Sequence, residues 1–90
     1  MGMIVVHHKV KDFAAWKLAF DEHAAVRKTA GLSKAHVLQA VDDPNAVTVL
    51  LDFTDAAKAK AFGTSDELKA RMKSAGVIGK PDVHILNKVT

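Results

Sequence analysis

Apolar and polar positions along the chain change period several times, and each change marks an element. Met3 to Val10 is a run rich in β-branched residues, closed by Lys11-Asp12, which predicts a first strand. From Phe13 the period becomes helical, with Phe13, Trp16, Phe20 and Ala24 recurring at spacings of three and four that set them on one stripe. Asp12 is placed to cap this helix, Arg27 and Lys28 suit its negative end, and Gly31 can take the left-handed conformation that stops it. The prediction is one helix from Asp12 to about Ala30.

Two strand-like segments follow, Lys34 to Val41 and Ala46 to Phe53, joined by Asp42-Asp43-Pro44-Asn45, the composition of a tight turn, so they form a hairpin. Thr54 can cap a short helix reaching Phe62, and Thr64-Ser65-Asp66-Glu67 matches a capping box that opens a helix to Ala75, stopped by Gly76. Val77 to Pro81 then serves as a connecting loop before a last strand, Asp82 to Val89. The order β-α-β-β-α-β, with short right-handed connections, predicts an α+β fold of the ferredoxin-like kind. Residues 1–90 make one domain, two helical regions covering one face of a four-stranded antiparallel sheet.

A sheet covered by helices on one side should alternate apolar with polar residues, because its other face meets water. Here the alternation fails. The third strand sets Val47, Val49, Leu51 and Phe53 on one face, yet Ala46, Thr48 and Leu50 precede the charged Asp52 on the other. The first strand sets Ile4, Val6, His8 and Val10 against Met3, Val5, His7 and Lys9. Two helical regions cannot cover both faces, which predicts a homodimer packed through the sheet face.

Composition narrows the function classes. The chain is 49% hydrophobic and 26% charged, as an ordinary soluble domain is, and no apolar stretch approaches the ~20 residues of a membrane span. The start, Met1-Gly2-Met3-Ile4, has no charged n-region and reads as strand rather than signal peptide, so the expected location is the cytoplasm. Zero cysteines exclude disulfides, thiolate metal sites and cysteine nucleophiles. A net charge of +3 is scattered, with Lys58, Lys60, Lys69 and Lys73 suited to solvated helix faces, so nucleic acid is not an expected partner. The third strand, AVTVLLDF, also lacks the interior aromatics on which an RNA-recognition sheet stacks bases. Neither a GxxxxGK[ST] loop nor a G-x-S-x-G elbow is present. Asp42-Asp43 belongs to a turn and Asp66-Glu67 to a first helical turn, so no carboxylate pair offers acid and base.

Chemistry therefore falls to the histidines. His8 and His84 are expected on neighbouring strands, but no His-x-His or His-x-x-x-His spacing with a carboxylate accompanies them, and no metal site is predicted. His8 interrupts an apolar stripe just before the strand-to-helix turn, where Trp16 can flank it. His23 and Arg27 stand i to i+4, three residues and more beyond Phe20. A pocket of Trp16, Phe20, His23 and Arg27 around His8 would combine apolar walls, an anion clamp and a base that titrates near neutrality. The competing reading is ordinary packing, with Trp16 and Phe20 as core, His8 hydrogen-bonded within it and Arg27 answering the helix dipole. On that reading His36 and His84 lie at the surface or the dimer seam and His7 satisfies a backbone group.

The stretch His8-Lys9-Val10-Lys11-Asp12-Phe13-x-x-Trp16-Lys17, with Phe20-Asp21-Glu22-His23, Arg27, Gly31 and Ala75-Gly76-Val77-x-Gly79-x-Pro81, resembles a small family within the antibiotic biosynthesis monooxygenase-like dimeric α/β-barrel superfamily. The resemblance covers nearly the whole chain. It implies a homodimer with a cavity between helices and sheet in each subunit. The superfamily includes cofactor-free oxygenases, haem-degrading enzymes, small isomerases and proteins without known activity, so the fold does not decide the function. The asparagine, tryptophan and histidine set of the haem degraders is not matched, because the only tryptophan is Trp16 on the first helix. No cofactor is therefore expected. The sequence points to a homodimer that binds a small apolar ligand, as a cofactor-independent monooxygenase or isomerase of an apolar or aromatic carbonyl substrate with His8 as base. The alternative is a non-catalytic ligand-binding or stress-related accessory protein.

Overall fold

A computed structural model describes residues 2–87 and residue 89. The elements run β1 (Gly2–Val10), α1 (Phe13–Glu22), α2 (Ala24–Thr29), β2 (Leu32–Ala40), β3 (Asp43–Phe53), α3 (Ala56–Gly63), α4 (Asp66–Ser74) and β4 (Val77–Asn87). The strands form one antiparallel sheet in the order β2-β3-β1-β4, the ferredoxin-like arrangement expected. Along β1 and β3 the buried positions alternate, and Ile4, Val6, Val10, Val47, Val49, Leu51 and Phe53 form the core beneath the helices with Trp16 and Ala59. The residues between them form the outer face, where Met3, Val5 and Leu50 are only half-buried. Leu38 and Leu86, which align with this face, are 48% and 46% exposed.

Several local expectations are corrected. The first helix is two helices broken at His23 (φ −98°, ψ 14°), whose N–H turns back to the Phe20 carbonyl at 3.3 Å in a tighter turn. Asp12 makes no side-chain cap. The free amide of Phe13 donates instead to Asn45 Oδ1 at 3.0 Å. Asn45 is available because the hairpin turn is shorter than its composition implies. Val41 and Asp42 alone close it, Ala40 pairs with Asp43, and residues 44–46 bulge out between the Asp43 and Val47 pairings. Pro44 cannot donate to the ladder, which is why the extra residues gather there.

The short helix is capped by Asp55, not Thr54, with Asp55 Oδ1 accepting from the Ala57 amide at 2.7 Å. Ser65 caps α4 through the Leu68 amide at 3.2 Å. The reciprocal half of a capping box is missing because Leu68, three residues on, has no acceptor. Val77 to Pro81 is not a loop but the first part of β4, running directly on from Gly76 (φ +91°). The predicted last strand ends at Asn87, and position 88 lies outside the described residues.

Candidate functional site

The irregularity in β4 sits opposite His8. His7 pairs with Asp82 and Lys9 with Ile78, so the single residue His8 faces residues 79–81. Gly79 (φ +73°) and Pro81, which has no N–H, allow the extra length there. On its other side His8 aligns with Val47 of β3. Its side chain points to the helix-covered face and is 5% exposed.

A file of rings leads away from it. His8 and Trp16 have centroids 5.5 Å apart, Trp16 stacks on Phe20 at 5.1 Å, and the guanidinium carbon of Arg27 lies 3.6 Å over the Phe20 ring. In one straight helix Phe20 and Arg27 would stand about 10 Å apart along the axis. The break at His23, with the length of the arginine side chain, closes that gap and turns Arg27 inward, leaving it 7% exposed. A cation lying on an aromatic face is an attractive arrangement.

These side chains bound a cavity of about 70 Å³ between sheet and helices. His8, Trp16, Phe20, His23 and Arg27 all line it. So do Phe62 from α3 and Leu68, Arg71 and Met72 from α4, which sequence reasoning did not find. Phe62, Leu68 and Met72 look like core positions in the sequence. Arg71 looks like the second half of an i,i+4 surface pair, and it does bond Glu67 Oε1 through Nε and Nη2 at 3.0 and 2.6 Å.

The packing alternative for His8 required a hydrogen bond, and among the described residues there is none: Nδ1 and Nε2 are both buried without a partner, as is Arg27 Nε. Burial first, and the charge of His7 second, hold the His8 pKa below its ordinary value. A neutral imidazole with a free lone pair results, the form that accepts a proton. Burial also lowers the pKa of Arg27, with Asp21 opposing it, and an arginine so affected remains a cation. Asp21 itself is engaged by Lys17 Nζ at 2.7 and 2.8 Å.

The other histidines stand apart. His7 bonds the Thr48 hydroxyl at 2.9 Å, a side chain and not a backbone group. His84 lies opposite Val5 and His36 opposite Leu50 on the outer face, so His8 and His84 share neighbouring strands but not a face. Among the described residues no three His, Asp or Glu side chains converge as metal ligands would, and no helix is long and apolar enough to cross a membrane.

No protein-family model matches the sequence, and no curated protein is significantly similar to it. Solved structures are similar in fold. A Bordetella bronchiseptica protein provisionally named an antibiotic biosynthesis monooxygenase superposes with a TM-score of 0.79 at 16% identity, covering 99% of this chain and 97% of that one. SnoaB, a cofactor-independent oxygenase from Streptomyces nogalater, gives 0.77 at 14% identity over 99% and 93%. A conserved protein from Methanosarcina mazei Go1 gives 0.69 at 18% identity over 99% and 94%. The chain thus has the ferredoxin-like α+β fold of the antibiotic biosynthesis monooxygenase-like proteins.

Proposed function

We propose that the protein is a homodimeric small-molecule-binding protein whose cavity takes an apolar or aromatic carbonyl compound, with His8 as general base of a cofactor-independent oxygenase or isomerase. The observation that carries this is the His8 ring: buried, unpartnered at both nitrogens among the described residues and set against Trp16 at the cavity wall. A core histidine kept only for packing would normally be hydrogen-bonded, because a buried polar atom without a partner costs about 1–3 kcal/mol.

Proton abstraction from carbon next to a carbonyl moves the C–H pair into an enolate and the proton onto the imidazole. Arg27 is a cation in the same wall that opposes the enolate charge. Returning the proton to another carbon gives an isomerase. With dioxygen as co-substrate, a methylene so activated becomes a carbonyl, one oxygen atom staying in the product and the other leaving as water. The similarity to SnoaB supports the oxygenase branch. The half-exposed apolar outer face of the sheet supports the dimer.

The test is a panel of aromatic and cyclic ketones and enols offered to the wild type, His8→Ala and His8→Asn, following substrate loss and oxygen uptake. Turnover lost in both variants, with binding retained in His8→Asn, is the expected result. Binding without turnover in the wild type leaves the accessory-binder alternative standing. Turnover that survives both substitutions removes His8 as base.

A further inference from the structure

Two arginines line the cavity, and only Arg71 has an ion-pair partner among the described residues, Glu67 Oε1 at 2.6 Å. Its wall carries Arg27 and Arg71 with the imidazoles of His8 and His23 and, among the described residues, no carboxylate. Arg27 is 7% exposed, forms no ion pair among the described residues, and has a buried Nε without a partner. Asp21, whose charge acts on Arg27, is itself engaged by Lys17, and a buried cation with no direct partner favours any anion that can reach it. Arg71 faces both ways. It also lines an open groove of about 560 Å³ between α2, α3 and α4, which shares Val26, Phe62, Leu68 and Arg71 with the inner cavity. Both spaces thus touch the same four side chains.

The inner cavity, at about 70 Å³, falls short of the roughly 150 Å³ in which a single ring is bound. Something must therefore yield to admit a ring, and α4 is set apart from the other three helices, each of which has at least one buried residue. None of its residues is buried, and segments with few buried contacts open first. The Glu67–Arg71 pair on its surface has side chains 62% and 32% exposed, and exposed pairs of this kind contribute little. Arg71 can leave Glu67 for a ligand at small cost.

We infer that the cavity takes a carbonyl compound of single-ring size that also carries a carboxylate, the carboxylate held between Arg27 and Arg71 while α4 moves outward to make room. The inference rests on the cavity being a ligand site and adds the charge of the ligand, a second residue that holds it and the route of entry. Guanidinium groups match carboxylate geometry with two parallel hydrogen bonds, which a neutral amide cannot reproduce.

The experiment uses the single tryptophan, Trp16, as reporter. The full chain is titrated with cyclohexanecarboxylate and with cyclohexanecarboxamide, following Trp16 fluorescence and heat release. The acid is expected to bind at least about tenfold more tightly than the amide, and Arg71→Gln or Arg27→Lys to bring that preference to about threefold or less. Arg71→Gln changes a partly exposed side chain and serves as the variant that keeps the fold. Hydrogen exchange in α4 should change on binding the acid. Equal binding of acid and amide overturns the inference and leaves the cavity reading intact, whereas silence toward both removes the cavity reading itself. An α4 exchange rate indifferent to bound acid overturns the entry route.

Discussion

The imidazole of His8 meets the indole of Trp16 at a centroid distance of 5.5 Å with the ring planes tilted by 54°. The indole is 3% exposed and the imidazole 5%, so the pair joins a titratable group to the core itself. Protonation of His8 therefore bears on the stability of the fold.

The His8 pKa is lowered in the folded state, by burial first and by His7 second. An unfolded histidine takes up its proton near pH 6.5, while the folded one resists. The folded state keeps this advantage in full above about pH 6.5 and loses it as the pH falls from there toward the lower folded value, because the unfolded chain then binds more protons. Thermal melts from pH 8 to pH 5 should show the wild type losing stability against His8→Asn as the pH drops. The difference between the two curves cancels the other histidines. Parallel curves would mean that His8 is not held neutral by the fold.

Two glycines differ in what a methyl group would meet. A Cβ on Gly2 would lie 2.7 Å from the Ala56 Cα and 3.0 Å from the Ala59 Cβ, so helix α3 would have to move. A Cβ on Gly63 would meet the Ile85 and Ile4 side-chain ends at 3.1 and 3.2 Å. Ile85 is 36% exposed and can give way. Gly2→Ala is expected to cost about 1–3 kcal/mol, as overpacking does. Gly63→Ala should fall within about 1 kcal/mol of zero, because alanine's helix propensity offsets the contact. Urea midpoints of the two variants decide it, and equal midpoints would deny the close approach of α3 to β1.

The parts of this fold that the sequence revealed are those governed by short-range period. Phe13, Trp16 and Phe20 repeat at helical spacing and do line one side of α1. His8, Trp16, Phe20, His23 and Arg27 could be gathered because they fall on one strand and the helical stretch that follows it. What escaped depends on partners distant in the chain. Asn45 caps α1 from a bulge 32 residues away, so nothing near Asp12 could signal it. The His23 break carries no glycine or proline, and its effect shows only in the Arg27 guanidinium lying on Phe20. Residues 77–81 contain the glycine and proline of a loop, yet β1 supplies a partner strand and only the register slips. Arg71 joined the site through the placement of α4, which local spacing does not encode.

Across the outer face of the sheet one row runs His36, Leu50, Val5, His84 through all four strands. Its two central apolar residues are half-buried by their neighbours alone. Leu50 points away from the core positions Val49 and Leu51, so a charge placed there leaves the interior untouched while making burial against a second copy unfavourable. Leu50→Asp is expected to keep the circular dichroism of the wild type and to scatter light as a 9.7 kDa monomer, where the wild type scatters as twice that mass. Leu18→Asp, at a residue 67% exposed on α1, controls for added charge and should remain dimeric. A wild type already monomeric at micromolar concentration would show that the apolar outer face is not a dimer surface. A Leu50→Asp dimer would mean that the copies meet elsewhere than on this row.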